Sequence, residues 1–149
     1  KSEITRQLCR DERFISPKTY CTKQSEKHHY LTEEEFKKQK FFEQTMYAGV
    51  KYGTKKEDIQ GVLDEGKFVV MPLDMCGAIA MKRHFPTVII YIAKDKEEMI
   101  ADIVQSDFSV EEKTLRILSL DAEKRDREIC DVTADNRDGK GMERIINLL

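Results

Sequence analysis

The sequence predicts an α/β protein in which a parallel sheet is covered on both faces by helices. Three short apolar runs, "KFVVMPLD", "PTVIIYIA" and "ICDVTA", are typical of strands that are buried on both faces. Segments with helical spacing separate these runs, and buried strands that alternate with helices favour a parallel sheet. Smaller strand-like segments between residues 13 and 54 predict an insertion beside that sheet.

The helices are predicted from their spacing and from the residues that begin and end them. Residues 2–10 place Ile4 and Leu8 on one face, and "MCGAIAMKRHF" and "GKGMERIINLL" have helical composition. A Thr, Ser or Asp followed three residues later by Glu is a capping pattern. It occurs at Thr32–Glu35, Thr54–Glu57, Asp95–Glu98 and Ser109–Glu112. Gly66 predicts the end of the helix that begins at Thr54, and the helix that begins at Ser109 should run to about residue 128.

The composition predicts one globular domain and excludes several classes of function. The 149 residues are 40% hydrophobic and 36% charged, and the net charge is −2. This balance gives no general attraction to nucleic acid or to an anionic membrane. No apolar run approaches the roughly 20 residues of a membrane span, and no signal peptide is visible. The four cysteines are scattered without the spacing of a zinc site, so we expect reduced thiols in a cytoplasmic protein.

Lys1 and Ser2 lead directly into the first predicted helix. A phosphate-binding loop of the form G-x-x-x-x-G-K-S ends in the same way, and a helix N-terminus favours a phosphate anion. The glycines and the strand before them would precede Lys1. Two alternatives stay open: this part of the loop has been lost, or it precedes Lys1 in a longer chain.

The segment "KYGTKKEDIQGVLDEGKFVVMPLDMCG" resembles the guanylate kinase family. The family pattern is Tyr-Gly-Thr/Ser, a helix, a Gly-Lys turn, a buried strand and Asp-x-x-Gly. "FFEQTMYAGVKYGT" is similar to that family's guanine-site hairpin, and "TVIIYIAKDKEEM", "EEKTLRI" and "CDVTADN" follow in the family's order. The resemblance implies a single P-loop NTPase-type domain. Its core would be residues 1–17 and 53–149, with a lid at about 102–115 and a GMP-binding β insertion at about 18–52.

By this resemblance, the reaction would be transfer of the γ-phosphate of ATP to GMP, giving ADP and GDP, with Mg²⁺. Lys1, Arg116 and Asp74 would be catalytic. ATP and its phosphates would be bound by Lys1, Ser2 and Asn136, with the Ser2 hydroxyl on Mg²⁺. The GMP-binding residues would lie in or beside the family's GMP-site motifs, at Thr19, Lys23, Tyr30, Glu43, Tyr52, Thr54 and Asp74.

The implied roles suit the chemistry of these side chains. Glu43 would accept hydrogen bonds from the guanine N1–H and exocyclic amine, a donor pair that adenine lacks. Thr54 would place its hydroxyl near the base, and Tyr52 would reach the GMP phosphate. Lys23, with Thr19 nearby, falls where a family arginine holds that phosphate.

The sequence also departs from the family pattern. Pro72 replaces an aspartate that helps to recognise guanine, and Lys23 replaces an arginine and loses its bidentate geometry. His28 stands at the position of a phosphate-site tyrosine. With His29, it is expected to form a solvated pair on opposite faces of a strand rather than a metal site. Asp102 stands at the position of a lid arginine.

These departures leave two other functions open. The first is a catalytically weak guanylate kinase-like module that binds a peptide or protein at the GMP-site surface. The second is a kinase with another acceptor, because Pro72 relaxes the selection of guanine.

Overall fold

The computed structural model describes residues 1–47 and 49–148. Ala48 of the predicted hairpin and Leu149 of the predicted last helix lie outside the described residues. The backbone forms two compact units, Lys1–Phe85 and Pro86–Leu149. Among the described residues, no helix combines the length and the apolar character that crossing a membrane requires.

The described residues of the first unit form four helices and six strands. Its helices are α1 (Ser2–Leu8), α2 (Glu33–Lys38), α3 (Lys56–Asp64) and α4 (Met75–His84). Its strands are β1 (Phe14–Ile15), β2 (Thr19–Cys21), β3 (His29–Tyr30), β4 (Glu43–Tyr47), β5 (Val50–Thr54) and β6 (Phe68–Val69). β1 pairs with β6 in parallel, and the other strands form a sheet of order β3-β2-β5-β4. Within that sheet β2–β3 is parallel, and the β2–β5 and β4–β5 pairs are antiparallel.

One face of the four-stranded sheet is covered by aromatic side chains. The rings of Tyr20 and Phe41 lie 5.6 Å apart, and those of Phe36 and Phe41 lie 4.4 Å apart. Gly53 lies directly beneath Phe41, where a Cβ atom would come within 2.6 Å of the ring. This close approach requires glycine at position 53.

Apolar packing joins α3, α4 and the segment before β4. Ile59, Met81 and Phe85 form a buried cluster, and Phe42 packs against it. The Phe42 and Phe85 rings meet edge to face at 5.7 Å. This cluster positions α4 next to β4.

The second unit contains a parallel strand pair with helices. Its elements are β7 (Ile90–Ala93), α5 (Lys96–Gln105), α6 (Val110–Arg125), a 3-10 helix (Asp126–Ile129), β8 (Val132–Asp135) and α7 (Gly141–Ile146). β7 and β8 pair from Ile90 opposite Val132 to Ala93 opposite Asp135. Ala134 and Ile145 are buried, and Lys96 of α5 forms a 2.7 Å ion pair with Asp121 of α6.

Two of the predicted caps and the predicted helix end are confirmed. Thr32 and Glu35 form a reciprocal capping box at α2, and the Ser109 hydroxyl accepts a hydrogen bond from the Glu112 amide at α6. Gly66, with a φ of +73°, follows α3. Glycine adopts this left-handed conformation without steric cost.

Three local predictions are wrong. Thr54 does not cap α3, because it is the last residue of β5 and its hydroxyl points to Glu43; Lys55 occupies the N-cap position. Asp95 precedes α5, but its side chain accepts no capping hydrogen bond from the described residues of that helix. "KFVVMPLD" forms only the two-residue β6, and Phe68 is 50% exposed rather than buried. Its pairing partner β1 also has two residues, which limits the length of the ladder.

Candidate functional site

Strand register places Glu43, Thr54 and Thr19 side by side on one face of the four-stranded sheet. Glu43 of β4 lies opposite Thr54 of β5, and Thr54 lies opposite Thr19 of β2. Side chains directly opposite each other on antiparallel strands share a face. Three residues that are far apart in sequence therefore form one polar row.

A second row lies two residues along the strands and faces the same way, because side chains alternate along a strand. In this row Thr45 lies opposite Tyr52, and Tyr52 lies opposite Cys21. Tyr30 of β3 lies opposite Cys21 and continues the row. We call this surface the site face; it comprises Thr19, Cys21, Tyr30, Glu43, Thr45, Tyr52 and Thr54. It brings together five of the predicted GMP-binding residues.

Glu43 is a buried carboxylate with incomplete hydrogen bonding. It is 5% exposed, and its neighbour Thr54 is 2% exposed. The Thr54 hydroxyl donates to Oε2 at 3.4 Å, whereas Oε1 has no hydrogen-bond partner among the described residues. Burial, together with the negative charge of Asp74, raises the pKa of Glu43. A buried unsatisfied acceptor of this kind is costly to the fold and is ready to accept a donor from a ligand.

Asp74 joins the beginning of α4 to β4. Its Oδ1 accepts the Gly77 amide at 2.8 Å, and its Oδ2 accepts the Thr45 hydroxyl at 2.7 Å. A Cβ atom at Gly77 would lie 3.1 Å from Oε1 of Glu43 and 3.4 Å from Oδ1 of Asp74. The two carboxylates therefore converge at the first turn of α4. Thr45 was not predicted as a site residue, although its position two residues after Glu43 on a strand indicates the same face.

His28 also lies on the site face. Its Nδ1 atom is 2.6 Å from the Thr19 hydroxyl, and its ring meets Tyr52 edge to face at 5.4 Å. His29 packs instead against Tyr20, on the aromatic face, with ring centroids 5.7 Å apart. The prediction of a solvated pair is therefore wrong for His28, because the chain between β2 and β3 brings this ring back over β2 and β5. Burial, with a smaller contribution from the Lys27 charge, lowers the pKa of His28.

The remaining predicted residues of the first unit are exposed. Lys23 follows β2, and its carbonyl oxygen accepts the Cys21 thiol at 2.8 Å. Lys1 occupies the N-cap position of α1, and Ser2 is its first residue. Among the described residues, no group of three or more His, Cys, Asp or Glu side chains is arranged to hold a metal ion. Mg²⁺ at nucleotide sites is usually bound by substrate phosphates with only one or two protein oxygens, so the Ser2 hydroxyl is a chemically suitable ligand.

Arg116 and Asn136 lie in the second unit. The Arg116 guanidinium donates to Oε1 of Glu112 at 2.8 Å and lies 4.0 Å from the centre of the Phe108 ring. The side-chain oxygen of Asn136, directly after β8, accepts the Gly141 amide at 2.8 Å. Asp102, at the position of the family's lid arginine, forms an ion pair with Lys94. The nucleotide-binding roles of Arg116 and Asn136 stay predictions.

Comparison with known proteins adds a family to this geometry. The guanylate kinase family model matches residues 8–140. Guanylate kinase from Chlamydia trachomatis serovar D is 31% identical over 111 residues, which are 66% of this chain and 54% of that protein. Guanylate kinase from Clostridium perfringens strain SM101 is 41% identical over 59 residues, which are 37% of this chain and 27% of that protein. The chain thus spans about half the length, or less, of these curated relatives.

The fold agrees with a solved structure of the same family. The crystal structure of guanylate kinase from Anaplasma phagocytophilum superimposes with a TM-score of 0.74 at 20% identity, covering 99% of this chain and 79% of that chain. This likeness confirms the α/β fold with parallel strand elements flanked by helices. Because the family model spans most of the residues, the chain belongs to the guanylate kinase family.

Proposed function

We propose that this chain binds GMP at the site face and takes part in transfer of the γ-phosphate of ATP to GMP, giving GDP and ADP. The proposal rests mainly on Glu43, whose Oε1 is buried and has no hydrogen-bond partner among the described residues. Membership of the guanylate kinase family supports the same reaction.

The guanine base matches the hydrogen-bonding capacity of Glu43. A carboxylate only accepts hydrogen bonds when it is ionised, and guanine presents an N1–H and an exocyclic amine on one edge. These two donors would satisfy Oε1 and add to the Thr54 hydrogen bond at Oε2. Hydrogen bonds to the ionised form would also offset the raised pKa of the buried carboxyl group. Adenine has an acceptor at N1, so it would leave Glu43 unsatisfied.

The second row of the site face suits the phosphate of the same nucleotide. Tyr52 and Tyr30 present phenol groups on this row, and Thr19 adds a hydroxyl. Lys23, exposed at the end of β2, would supply positive charge. Phosphoryl transfer depends mainly on alignment and charge neutralisation, which these groups can provide without covalent participation.

The ATP side of the reaction is assigned by the family resemblance. Lys1 would contact the β- and γ-phosphates, Ser2 would bind Mg²⁺, and Asn136 would lie near the adenine. Arg116 would contact the transferring phosphates, and Asp74 would lie near the reacting groups. Bound Mg²⁺ supplies charge neutralisation, while the two hydrogen bonds to Asp74 hold that carboxylate in one orientation.

Calorimetric titration with GMP, AMP and UMP tests the proposed acceptor site. We expect GMP to bind most tightly, and Glu43→Ala to weaken GMP binding by about ten- to a hundredfold, since hydrogen bonds to a charged group are lost. Glu34→Ala is the matched control, because Glu34 is exposed on α2. Phosphoryl transfer is measured in parallel on the chain extended upstream of Lys1.

The outcomes separate the alternatives. If GMP, AMP and UMP bind equally well, Glu43 does not recognise the guanine base, and this result would favour a kinase with another acceptor. A folded chain that binds none of them would contradict the kinase proposal and favour a peptide-binding module. ATP binding by the extended chain should be unaffected by Glu43→Ala, and equal weakening of both nucleotides would indicate a fold defect.

A further inference from the structure

His28 is held over the site face by two neighbours from different strands. Thr19 of β2 contacts Nδ1 at 2.6 Å, and the Tyr52 ring of β5 lies 5.4 Å away at an interplanar angle of 75°. The ring is therefore fixed beside a hydroxyl group and a phenol group that the proposed function assigns to the phosphate end of the acceptor.

The contact with Thr19 leaves the other ring nitrogen available. Nε2 of His28 makes no hydrogen bond within residues 1–47 and 49–148. When the imidazole is neutral and Nδ1 accepts the Thr19 hydroxyl, the proton resides on Nε2. When the imidazole is charged, both nitrogens carry protons. In both states, Nε2 can donate a hydrogen bond to an anion.

The groups facing His28 leave its charge uncompensated. They are the Thr19 hydroxyl from β2, the Tyr52 ring from β5 and the ammonium of Lys27 from its own segment. None of them is an acidic side chain, and Lys27 is positive. An anionic ligand is the partner that this environment favours.

We propose that His28 determines the specificity of the acceptor site for a phosphorylated nucleotide, by donating its Nε2–H to the monophosphate group. This inference rests on the proposed function, because it takes the site face to be the acceptor site. The family's tyrosine is replaced here by a group that can gain a proton, so phosphate affinity becomes dependent on pH.

The direction of this dependence follows from the two protonation states. In the free protein, burial and Lys27 lower the pKa of His28, so the ring is mainly neutral near pH 7. A phosphate group beside Nε2 favours the charged ring and raises that pKa. The protein therefore takes up a proton on binding, and the contribution of His28 to phosphate affinity grows as the pH falls.

The test compares GMP and guanosine binding between pH 8 and pH 6 in the wild-type chain, His28→Gln and His29→Gln. Glutamine retains a donor near the Nε2 position but cannot gain a charge. Free GMP titrates identically in all three experiments, so its own protonation cancels in the ratio of the affinities. When the pH is lowered from 8 to 6, we expect the ratio of the wild-type affinity for GMP to the His28→Gln affinity to increase about fivefold. His29→Gln, on the opposite face, should follow the wild type.

Guanosine provides the control for a merely structural effect. Its affinity should be the same in the wild type and in His28→Gln at every pH, because it has no phosphate. Parallel GMP profiles for the wild type and His28→Gln, or equal weakening of GMP and guanosine, would overturn the role of His28 while leaving the proposed function intact. A folded wild-type chain that binds neither GMP nor guanosine would overturn both.

Proton NMR of the wild-type chain gives a second readout that does not depend on a variant folding. The chain has three histidines, so the Cε1–H signal of His28 can be assigned by comparison with His28→Gln and His29→Gln. The pKa of His28 should rise when GMP is added and should not change with guanosine. An unchanged pKa in the GMP complex would contradict the inference.

Discussion

The Thr54 hydroxyl donates to Oε2 of Glu43 across the β4–β5 pair, while Oε1 of the same carboxylate has no partner among the described residues. The carboxylate that we propose to recognise the base thus lies in a buried position, and only one of its two oxygens has a hydrogen-bond partner among the described residues. If the proposed role is right, Glu43 improves GMP binding at the expense of stability, and both effects can be measured.

Glu43→Gln should stabilise the free protein at neutral pH. Burial raises the pKa of Glu43 in the folded state above its ordinary value of 4.5. The unfolded chain therefore releases this proton at a lower pH than the folded chain, and the wild type loses stability as the pH rises through that range. Glutamine removes the buried charge, so we expect the free energy of unfolding to rise by about 1 kcal/mol at pH 7.

Denaturant unfolding at pH 4 and pH 7 tests this prediction. The advantage of Glu43→Gln should be small at pH 4, where the wild-type carboxyl group is largely protonated in the folded state. Glu34→Gln, on an exposed position of α2, should differ little from the wild type at either pH. A variant that is less stable than the wild type at pH 7 would contradict the conclusion that the buried, half-satisfied Glu43 carboxylate destabilises the free protein.

Asp74→Ala should destabilise the first unit and lower the pKa of Glu43. The substitution removes the side-chain cap of α4 and the hydrogen bond from Thr45, and the loss of a cap costs about 1 kcal/mol. It also removes a negative charge that raises the pKa of Glu43. Asp74→Asn should retain most of the cap, because asparagine is a good N-cap residue, but it also removes the charge.

The measurements are the free energy of unfolding and a carbon-detected NMR titration of the Glu43 carboxyl group. The prediction requires that both variants lower the pKa of Glu43 and that only Asp74→Ala loses substantial stability. An unchanged pKa in both variants would show that the two carboxylates do not interact.

Gly53→Ala should destabilise the sheet, because its Cβ atom would lie 2.6 Å from the Phe41 ring. Overpacking of this kind typically costs about 1–3 kcal/mol. Gly61→Ala is the matched control: Gly61 lies within α3, and a Cβ atom there would meet nothing within 4 Å. It should stabilise the chain by about 0.5–1 kcal/mol, since alanine favours the helix. Thermal unfolding of both variants gives the comparison, and equal effects of the same sign would contradict it.

Local patterns were sufficient to predict most helices. The capping box of Thr32 and Glu35 needs only residues within one turn, so its sequence signature and its structure agree. The same signature failed at Thr54, because strand pairing with Thr19 and Glu43 determines where that side chain points. Asp95 makes no capping hydrogen bond to the described residues of α5; its negative charge contributes, after that of Asp135, to raising the pKa of Arg137.

The site was predictable only in part. Because side chains alternate along a strand, Thr45 lies on the same face as Glu43, and Tyr52 lies on the same face as Thr54. The resemblance to the family hairpin therefore identifies most of the site face. The contact between His28 and Thr19 depends on the path of the chain between β2 and β3, for which no residue spacing gives a rule. The hydrogen bond from Thr45 to Asp74 joins residues that are separated in sequence by the whole of β5, α3 and β6.

Asp74 has a consequence for the local order of α4. The same carboxylate fixes the Gly77 amide at the beginning of this ten-residue helix and the Thr45 hydroxyl on the strand that contains Glu43. A ligand that draws Asp74 away from either group would release the start of the helix from the strand, so occupancy and local opening are thermodynamically linked. The exchange rate of the Gly77 amide proton would therefore report whether binding of a nucleotide at the proposed site disturbs Asp74.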